Sequence, residues 1–537
     1  MSNERSTPSD VDVLVVGGGP TGMTAACELL RRGVQVRIVD RAPDDTSFPK
    51  ALLLWPRSLE LLDDLGVLPA TRDAALRINA FSYFSDRRPL AAFRFTEDLA
   101  PLCLPQNETE RILRERLHEL GGKVEHGVRL LCFDNLDFSG RITASPEVTA
   151  VLEHADGRIE RARVPFVVGA DGAGSAVRAQ IGTGFVGSTY ESAFALVDAH
   201  IDGALPPDEA LYYQSPKGAL VVVPLPQGVW RFFSSLPPGE QVNVPMMQRI
   251  VDERGPRGVR IAEPVWQSVF RVHARHAADF QLGRVFLAGD AAHVHSPAGG
   301  QGLNTGLQDA HNLGWKLAAV IHGDAPDDLL LSYGPERAAV AKRVVRDTDI
   351  QTRAWMVDTR LKVAARDAAF VLADRSGMLS ALYGPVMAGR RLAYPAHRPT
   401  QQPAGWTACR TRAKLPGGLK PGAVLPRELT ARRRTRADAD PRDWTLVLAE
   451  TPGGAGGTGG TGWTRRAAHL AASHPRLDLV VVPVDESARH TGCARPGYFL
   501  VRPDGHVAAH GHARDLAHLE AEITLGPGRS APAAVPA

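Results

Sequence analysis

The sequence lacks most of the features that would mark a secreted, metal-bound or membrane-spanning chain. Only five cysteines occur in 537 residues, Cys27, Cys103, Cys132, Cys409 and Cys493, with no CxxC pair and no histidine-rich spacing around them. A zinc site or a disulfide framework is therefore not expected, and reduced thiols are. Charge of one sign is also missing in excess: 62 Lys and Arg face 59 Asp and Glu. The one dense basic run, Arg432 to Arg436, reads as a solvated loop, so nucleic acid is not an expected partner. Long apolar runs are absent near the start, where Val13 to Val16 is too short for a signal core or a membrane span. The expectation is a cytoplasmic protein with no membrane and no metal, long enough for more than one domain.

What is present is a set of glycine-bearing turns between apolar runs. Val11 to Val16 is β-branched and apolar, Gly17-Gly-Gly-Pro-Thr-Gly22 follows it, Met23 to Arg32 has helical spacing, and Val34 to Val39 is a second strand that ends at Asp40. This is the start of a βαβ unit with Gly17, Gly19 and Gly22 in a GxGxxG pattern. Such glycines allow a tight turn, close approach of the backbone to a pyrophosphate and close helix-on-strand packing, while the helix N-terminus presents free N–H groups. Asp40 is placed to accept from a ribose hydroxyl.

A second cluster runs Arg284-Val-Phe-Leu-Ala-Gly-Asp290-Ala-Ala-His293, then Pro297-Ala-Gly-Gly-Gln-Gly-Leu-Asn304, and leads into a helix from about Gly302 to Val320. An apolar strand ending in Gly-Asp and a glycine loop feeding a helix can offer a carboxylate to a ribitol hydroxyl and backbone N–H groups to a flavin edge. Between the two clusters lies Val167-Val-Gly-Ala-Asp171-Gly172-Ala-Gly-Ser175-Ala-Val-Arg178. Taken alone it is a strand, an Asp-Gly turn and a helix start, with a turn-stabilising role for Asp171 as good a reading as any other.

These three motifs, in this order over about residues 11 to 390, resemble the flavin monooxygenases related to p-hydroxybenzoate hydroxylase. The resemblance implies that Gly17, Gly19, Gly22, Asp40 and Arg41 hold the ADP half of FAD and that Asp290 holds the ribitol and pyrophosphate region. It implies that Pro297, Gly299, Gly300, Gly302, Leu303 and Asn304 border the isoalloxazine, that Gln106 contacts FAD, and that Asp171 is shared between FAD and NADPH or NADH. The implied reaction is hydroxylation of a phenolic or polycyclic, polyketide-like aromatic with O2 through a flavin C4a-hydroperoxide. No covalent nucleophile is needed, and no catalytic side chain is named. One departure is Lys50, in Pro49-Lys50-Ala51, where many relatives carry arginine; it is closer to the chlorophenol-monooxygenase branch, and an ammonium cannot reproduce a bidentate guanidinium contact.

The implied architecture is α/β: a Rossmann-like FAD domain over residues 1–184 and 271–394, an antiparallel-sheet substrate domain over 185–270, and a thioredoxin-like domain over 405–525. In the middle domain Tyr213, Phe232 and Trp266 are the candidate substrate contacts, from a set that also holds Tyr212, Phe233 and Phe270. The C-terminal strands, Trp444 to Ala449, Leu477 to Val484 and Tyr498 to Val501, resemble the appendage of phenol and polyketide hydroxylases, with Cys493 alone where a redox pair would stand and a possible role in homodimer contacts. Gly454 to Gly459 also fits GxGxxG, with Asp485 ending the next strand, but it is read as a low-complexity loop. Pro395 to Gly405 reads as a linker and Gly526 to Ala537 as a frayed tail. Rival readings are Baeyer–Villiger oxygenation or epoxidation with the same flavin apparatus, and a flavin-binding assembly protein without turnover. A flavin halogenase is disfavoured because none of the eight Trp residues stands two positions from another, as WxWxI requires.

Overall fold

The computed structural model describes residues 11–395 and 419–525, apart from positions 46–47, 238, 356, 358, 379–380, 382, 437, 452–461 and 514–515. Cys409, Gly454 to Gly459, most of the expected linker and the expected tail lie outside the described residues. The chain forms two compact units, the first from Met1–Cys27, Gln35–Ala310 and Val340–Arg390, the second from Glu28–Val34, His311–Ala339 and Arg391–Ala537. The fold is mixed α/β, with parallel and antiparallel sheets.

In the first unit a six-stranded sheet runs in the order Gln281–Leu282, Val285–Leu287, Phe166–Gly169, Val13–Val16, Val36–Asp40, Val124–His126. All neighbours after the first pair are parallel. The central strand Val-Leu-Val-Val is buried along its whole length, as a parallel strand covered on both faces must be. The expected helix from Met23 begins three residues earlier, as Pro20–Leu30, because Pro20 can occupy the first helical turn without an N–H to satisfy.

An eight-stranded sheet follows the order His293–Val294, Arg260–Ala277, Phe185–Asp202, Trp230–Ser235, Gly218–Pro224, Glu209–Ser215, Ala80–Ser85, Arg88–Arg94. It takes two strands from before residue 100, outside the 185–270 range expected for the antiparallel domain. Its two faces separate by residue parity. Leu211, Tyr213, Val222 and Phe232 pack with Met246, Met247 and Ile250 of helix Val244–Arg254. Ala210, Tyr212, Val221 and Val223 pack instead with Phe81, Tyr83, Trp55 and Trp355. A three-stranded antiparallel sheet, Val128–Asp134, Val148–His154 and Ile159–Val164, completes the sheets that matter here.

The second unit contains a four-stranded sheet in the order Leu477–Pro483, Trp444–Glu450, Gly497–Val501, Val507–His512. The first pair is parallel and the rest antiparallel, and the hairpin expected at Pro503-Asp-Gly505 joins the last two strands. The strand expected to reach Val484 stops at Pro483, and Val484 opens helix Val484–Thr491, with Asp485 and Glu486 in its first turn rather than at a strand end. Among the described residues no helix is long and apolar enough to cross a membrane, and no cluster of residues could hold a metal.

Candidate functional site

The glycines of the first turn are required for different reasons. Gly17 has φ +113°, and a Cβ there would lie 2.3 Å from the Ala170 carbonyl oxygen. At Gly22 a Cβ would lie 1.9 Å from the Gly17 oxygen, so this glycine lets the helix pack on its strand. At Gly19 a Cβ would meet nothing within 4 Å. Protein packing does not explain that glycine; it faces open space beside a helix N-terminus, where a phosphate group would be favoured. The Asp40 carboxylate accepts from the Gly18 N–H at 2.6 Å and the Ala42 N–H at 2.7 Å. A carboxylate has about four lone-pair sites, so two remain for sugar hydroxyls. Arg41 is exposed next to it.

The second cluster closes onto the first turn. A Cβ on Gly289 or Gly306 would lie 2.6 Å or 2.4 Å from the Thr21 hydroxyl, so both glycines permit the approach. Asp290 is crowded by protein, which pushes its carboxyl pKa up, yet the residue remains exposed to solvent. Asp309, which the sequence reading passed over, anchors this turn: its Oδ2 accepts from the Gly289 N–H at 2.9 Å and pairs with His293 Nε2 at 2.6 Å. His293 is thereby buried in a fixed contact. His295 packs its Nδ1 on the Ser296 carbonyl at 2.9 Å, and burial pushes its pKa down to about 4, so it is neutral near pH 7.

The glycine loop is held by side chains from distant sequence. Asn304 accepts from the Trp55 N–H at 2.8 Å and donates to the carbonyls of Leu53 and Gly300, both at 2.7 Å. The Trp55 indole donates to the Gly299 carbonyl at 2.8 Å. Gly299 and Gly300 have φ of +73° and +62°, and Cβ atoms on them would strike Met387 and Leu53. Pro297 is exposed beside them, and Gly302, Leu303 and Asn304 begin helix Gly302–Ile321. The Asn304 side chain therefore serves the loop's own shape.

Two other predicted positions turn out to be structural anchors as well. Asp171 accepts from the Ser175 hydroxyl at 2.5 Å and from the N–H groups of Ala176 and Val177, so the turn-stabilising role accounts for its contacts. Gln106 accepts from the Ala51 N–H at 3.2 Å and donates to Glu110 at 2.8 Å, fixing the segment that carries Lys50. That segment is gripped from the sheet too. Arg231, in a buried bidentate pair with Asp198 at 2.7 Å for each bond, donates to the Lys50 carbonyl at 2.5 Å and to the Pro49 carbonyl. The Lys50 charge acts on both Asp290 and Glu110, lowering their pKa against the rise that burial imposes.

The structure divides the three expected substrate contacts between the two sheet faces. Tyr213, stacked on Phe84 at 4.5 Å, and Phe232 lie on the face covered by helix Val244–Arg254. Trp266 shares the opposite face through its register with Asp198, and the Arg231 guanidinium stands 5.4 Å from its ring. That opposite face also carries Tyr212, Phe233, Phe194 and Phe270, and its apolar cluster includes Ala298 of the glycine loop and Met387. The residues missed from the sequence are thus Asp309, Trp55, Arg231 with Asp198, and Tyr83. Asp309 lies within the helix expected from Gly302 to Val320; nothing local singled out the others.

A parallel sheet whose glycine turn leaves room beside a helix N-terminus, joined by a second glycine loop and an acidic turn, defines a dinucleotide-binding flavoprotein architecture. The model of the family described as FAD binding domain matches residues 10–348, and the chain belongs to that family. A 6-methylpretetramide 4-monooxygenase of Streptomyces rimosus is 34% identical over 540 residues, covering 95% of this chain and 92% of that protein. The pentachlorophenol 4-monooxygenase of Sphingobium chlorophenolicum is 35% identical over 358 residues, covering 64% of this chain and 65% of that protein. Among solved structures, the flavin-dependent monooxygenase PieE in complex with FAD and substrate superposes with a TM-score of 0.73 at 25% identity, covering 96% of this chain and 98% of that one.

Proposed function

We propose that this protein is a flavin-dependent monooxygenase that uses NADPH or NADH and O2 to hydroxylate a phenolic or polycyclic, polyketide-like aromatic. The observation that carries the reading is the packing of Ala298, from the flavin-fitting loop, into the same cluster as Tyr83, Tyr212 and Trp355 of the aromatic sheet face. Gly17, Gly19, Gly22, Asp40 and Arg41 would hold the nucleotide half of FAD. Asp290 would meet the ribitol, and the backbone of residues 297–304 the ring system. Bound there, FAD would supply redox chemistry, accepting reducing equivalents from the nicotinamide and delivering one oxygen atom from O2 to the substrate ring.

The chain's own residues hold the geometry and keep the site dry. Asp309 fixes the acidic turn, Asn304 and Trp55 fix the glycine loop, and the Arg231–Asp198 pair fixes the Lys50 segment against the sheet. The aromatic face excludes water and orients a flat ring. The start of helix Gly302–Ile321 directs its positive end at the loop, where anionic character on a bound flavin would be favoured. We assign the FAD domain to residues 1–184 and 271–394 and the substrate domain to 185–270, whose sheet is completed by strands Ala80–Ser85 and Arg88–Arg94 and by the end of strand Arg260–Ala277. A thioredoxin-like assignment of 405–525 is supported by the strand order and mixed pairing of the four-stranded sheet. A cytoplasmic location is part of the same reading.

The test is the visible spectrum of the purified protein, followed by NADPH oxidation under air with a panel of polycyclic phenols. A yellow protein whose oxidation rate rises with a phenol, giving a product heavier by one oxygen atom, supports the proposal. A lactone or epoxide product replaces hydroxylation by the rival oxygenations, and a colourless protein that cannot take up FAD overturns the reading.

A further inference from the structure

The aromatic face of the eight-stranded sheet is closed at one end and half-open at the other. Tyr83, Tyr212 and Trp355 are buried against one another, at 4.9 and 5.5 Å, and leave no ring face for a ligand. Phe233, Phe270 and Trp266, on the same face, are only half-buried. Phe233 packs against the cluster that holds Ala298, which sets this row beside the glycine loop, and it stacks on Phe270 at 5.6 Å. Trp266 stands four residues from Phe270 on one strand, about 13 Å at the usual rise per residue. There the row is prolonged by Phe48, which is 49% exposed, with its ring centre 6.2 Å from that of Trp266. Both rings are held in place. The Arg231 guanidinium lies 5.4 Å from the Trp266 ring and donates to the carbonyls of Pro49 and Lys50, tying the indole and the Phe48 segment to the sheet. Lys50, two residues on, is close enough for its charge to lower the Asp290 pKa, so this end of the row also borders the flavin-fitting residues. Exposed apolar rings fixed in this way offer contact area at little ordering cost.

We propose that Phe48 and Trp266 form an aromatic clip for the far rings of a fused polycyclic substrate, with Phe48 as a specificity-determining residue. A single phenol ring seated at Phe233 and Phe270 does not reach Trp266. A system of three or more fused rings spans the row and covers Phe48. This assignment rests on the monooxygenase reading and selects polycyclic over simple phenolic substrates.

The test measures binding of 1-hydroxyanthracene and of phenol to the flavin-loaded protein by equilibrium dialysis. Phe48→Ala is expected to weaken 1-hydroxyanthracene roughly 10- to 50-fold, the worth of one buried aromatic contact, and phenol by less than about 2-fold. Phe48→Tyr, which keeps the ring, should bind both ligands as the wild type does. An equal loss for the two ligands, no loss for either, or a wild type that takes up no 1-hydroxyanthracene overturns the assignment. Nicotinamide oxidation under air is followed in parallel. Phe48-dependent binding without ligand-stimulated oxidation would retain the clip and remove the monooxygenase reading; stimulated oxidation indifferent to Phe48 would do the reverse.

Discussion

One charged cluster of the second unit closes on itself, whereas the nucleotide-fitting part of the first unit stays open. In the second unit Glu336 pairs with Lys316 at 2.8 Å and with Arg502 at 2.6 Å, Asn312 donates to both Glu336 and Asp504, and Arg502 binds Asp504. Glu28 pairs there with Arg31, Arg32 and His311. Burial alone would raise the carboxyl pKa values, but Arg502 and Lys316 more than reverse this for Glu336, and Arg502 and His506 for Asp504, holding both well below the usual range. Every charge in that cluster has an opposite charge beside it. In the first unit Gly19 leaves space unfilled and Asp290 stays open to solvent. Polarity that closes on itself maintains structure; polarity left open waits for something else.

The sharpest way to break this contrast is Arg502→Met. It strands Glu336 and Asp504, and the expected loss is about 3–5 kcal/mol of stability, read as a large fall in the melting temperature followed by circular dichroism. A variant that melts like the wild type would show that the cluster is not closed as described. The same carboxylates set an acid limit: with folded pKa values depressed, their stabilisation is present above about pH 4.5 and is lost as pH falls further.

Next come two glycines of one motif. Gly22→Ala should cost about 1–3 kcal/mol of stability through the clash with the Gly17 carbonyl. Gly19→Ala should leave the melting temperature of the flavin-free protein unchanged and reduce flavin retention on gel filtration. If both variants lose stability equally, Gly19 serves packing and the open-space argument fails.

A smaller effect concerns His295, whose folded pKa of about 4 lies below its ordinary 6.5. The folded protein binds fewer protons between these values, so the stabilisation is intact above pH 6.5 and declines as pH falls toward 4. His295→Gln should flatten the melting temperature measured from pH 7 to pH 5. The least effect is expected at Arg111, whose exposed pairs with Glu108 and Glu115 make Arg111→Ala a change within about 0.5 kcal/mol by urea denaturation.

The parts legible in the sequence are those where a backbone constraint is written locally. Gly17 and Gly22 announce a turn because no other residue fits, and the Gly-Asp pair at Gly289 and Asp290 marks a strand end for the same reason. The buried cluster of the second unit was illegible, since Lys316, Glu336 and Arg502 stand far apart in the sequence and meet only through the fold. Tyr212 and Tyr213 show a subtler limit. Alternation establishes that they point to opposite faces, but which face meets the glycine loop depends on where helix Val244–Arg254 docks, and no local pattern states that. For Val484, the acidic pair Asp485 and Glu486 was an available helix-start signal that the apolar run before it masked.

The division of the eight-stranded sheet by parity also has an evolutionary reading. Substitutions at positions 212, 214, 221 and 233 remodel one surface, while 211, 213, 222 and 232 continue to grip their covering helix. Recognition can then drift, or be recombined in a focused library, without renegotiating the scaffold. A lineage built on this sheet can acquire new ring systems through changes to alternate letters of a few short strands.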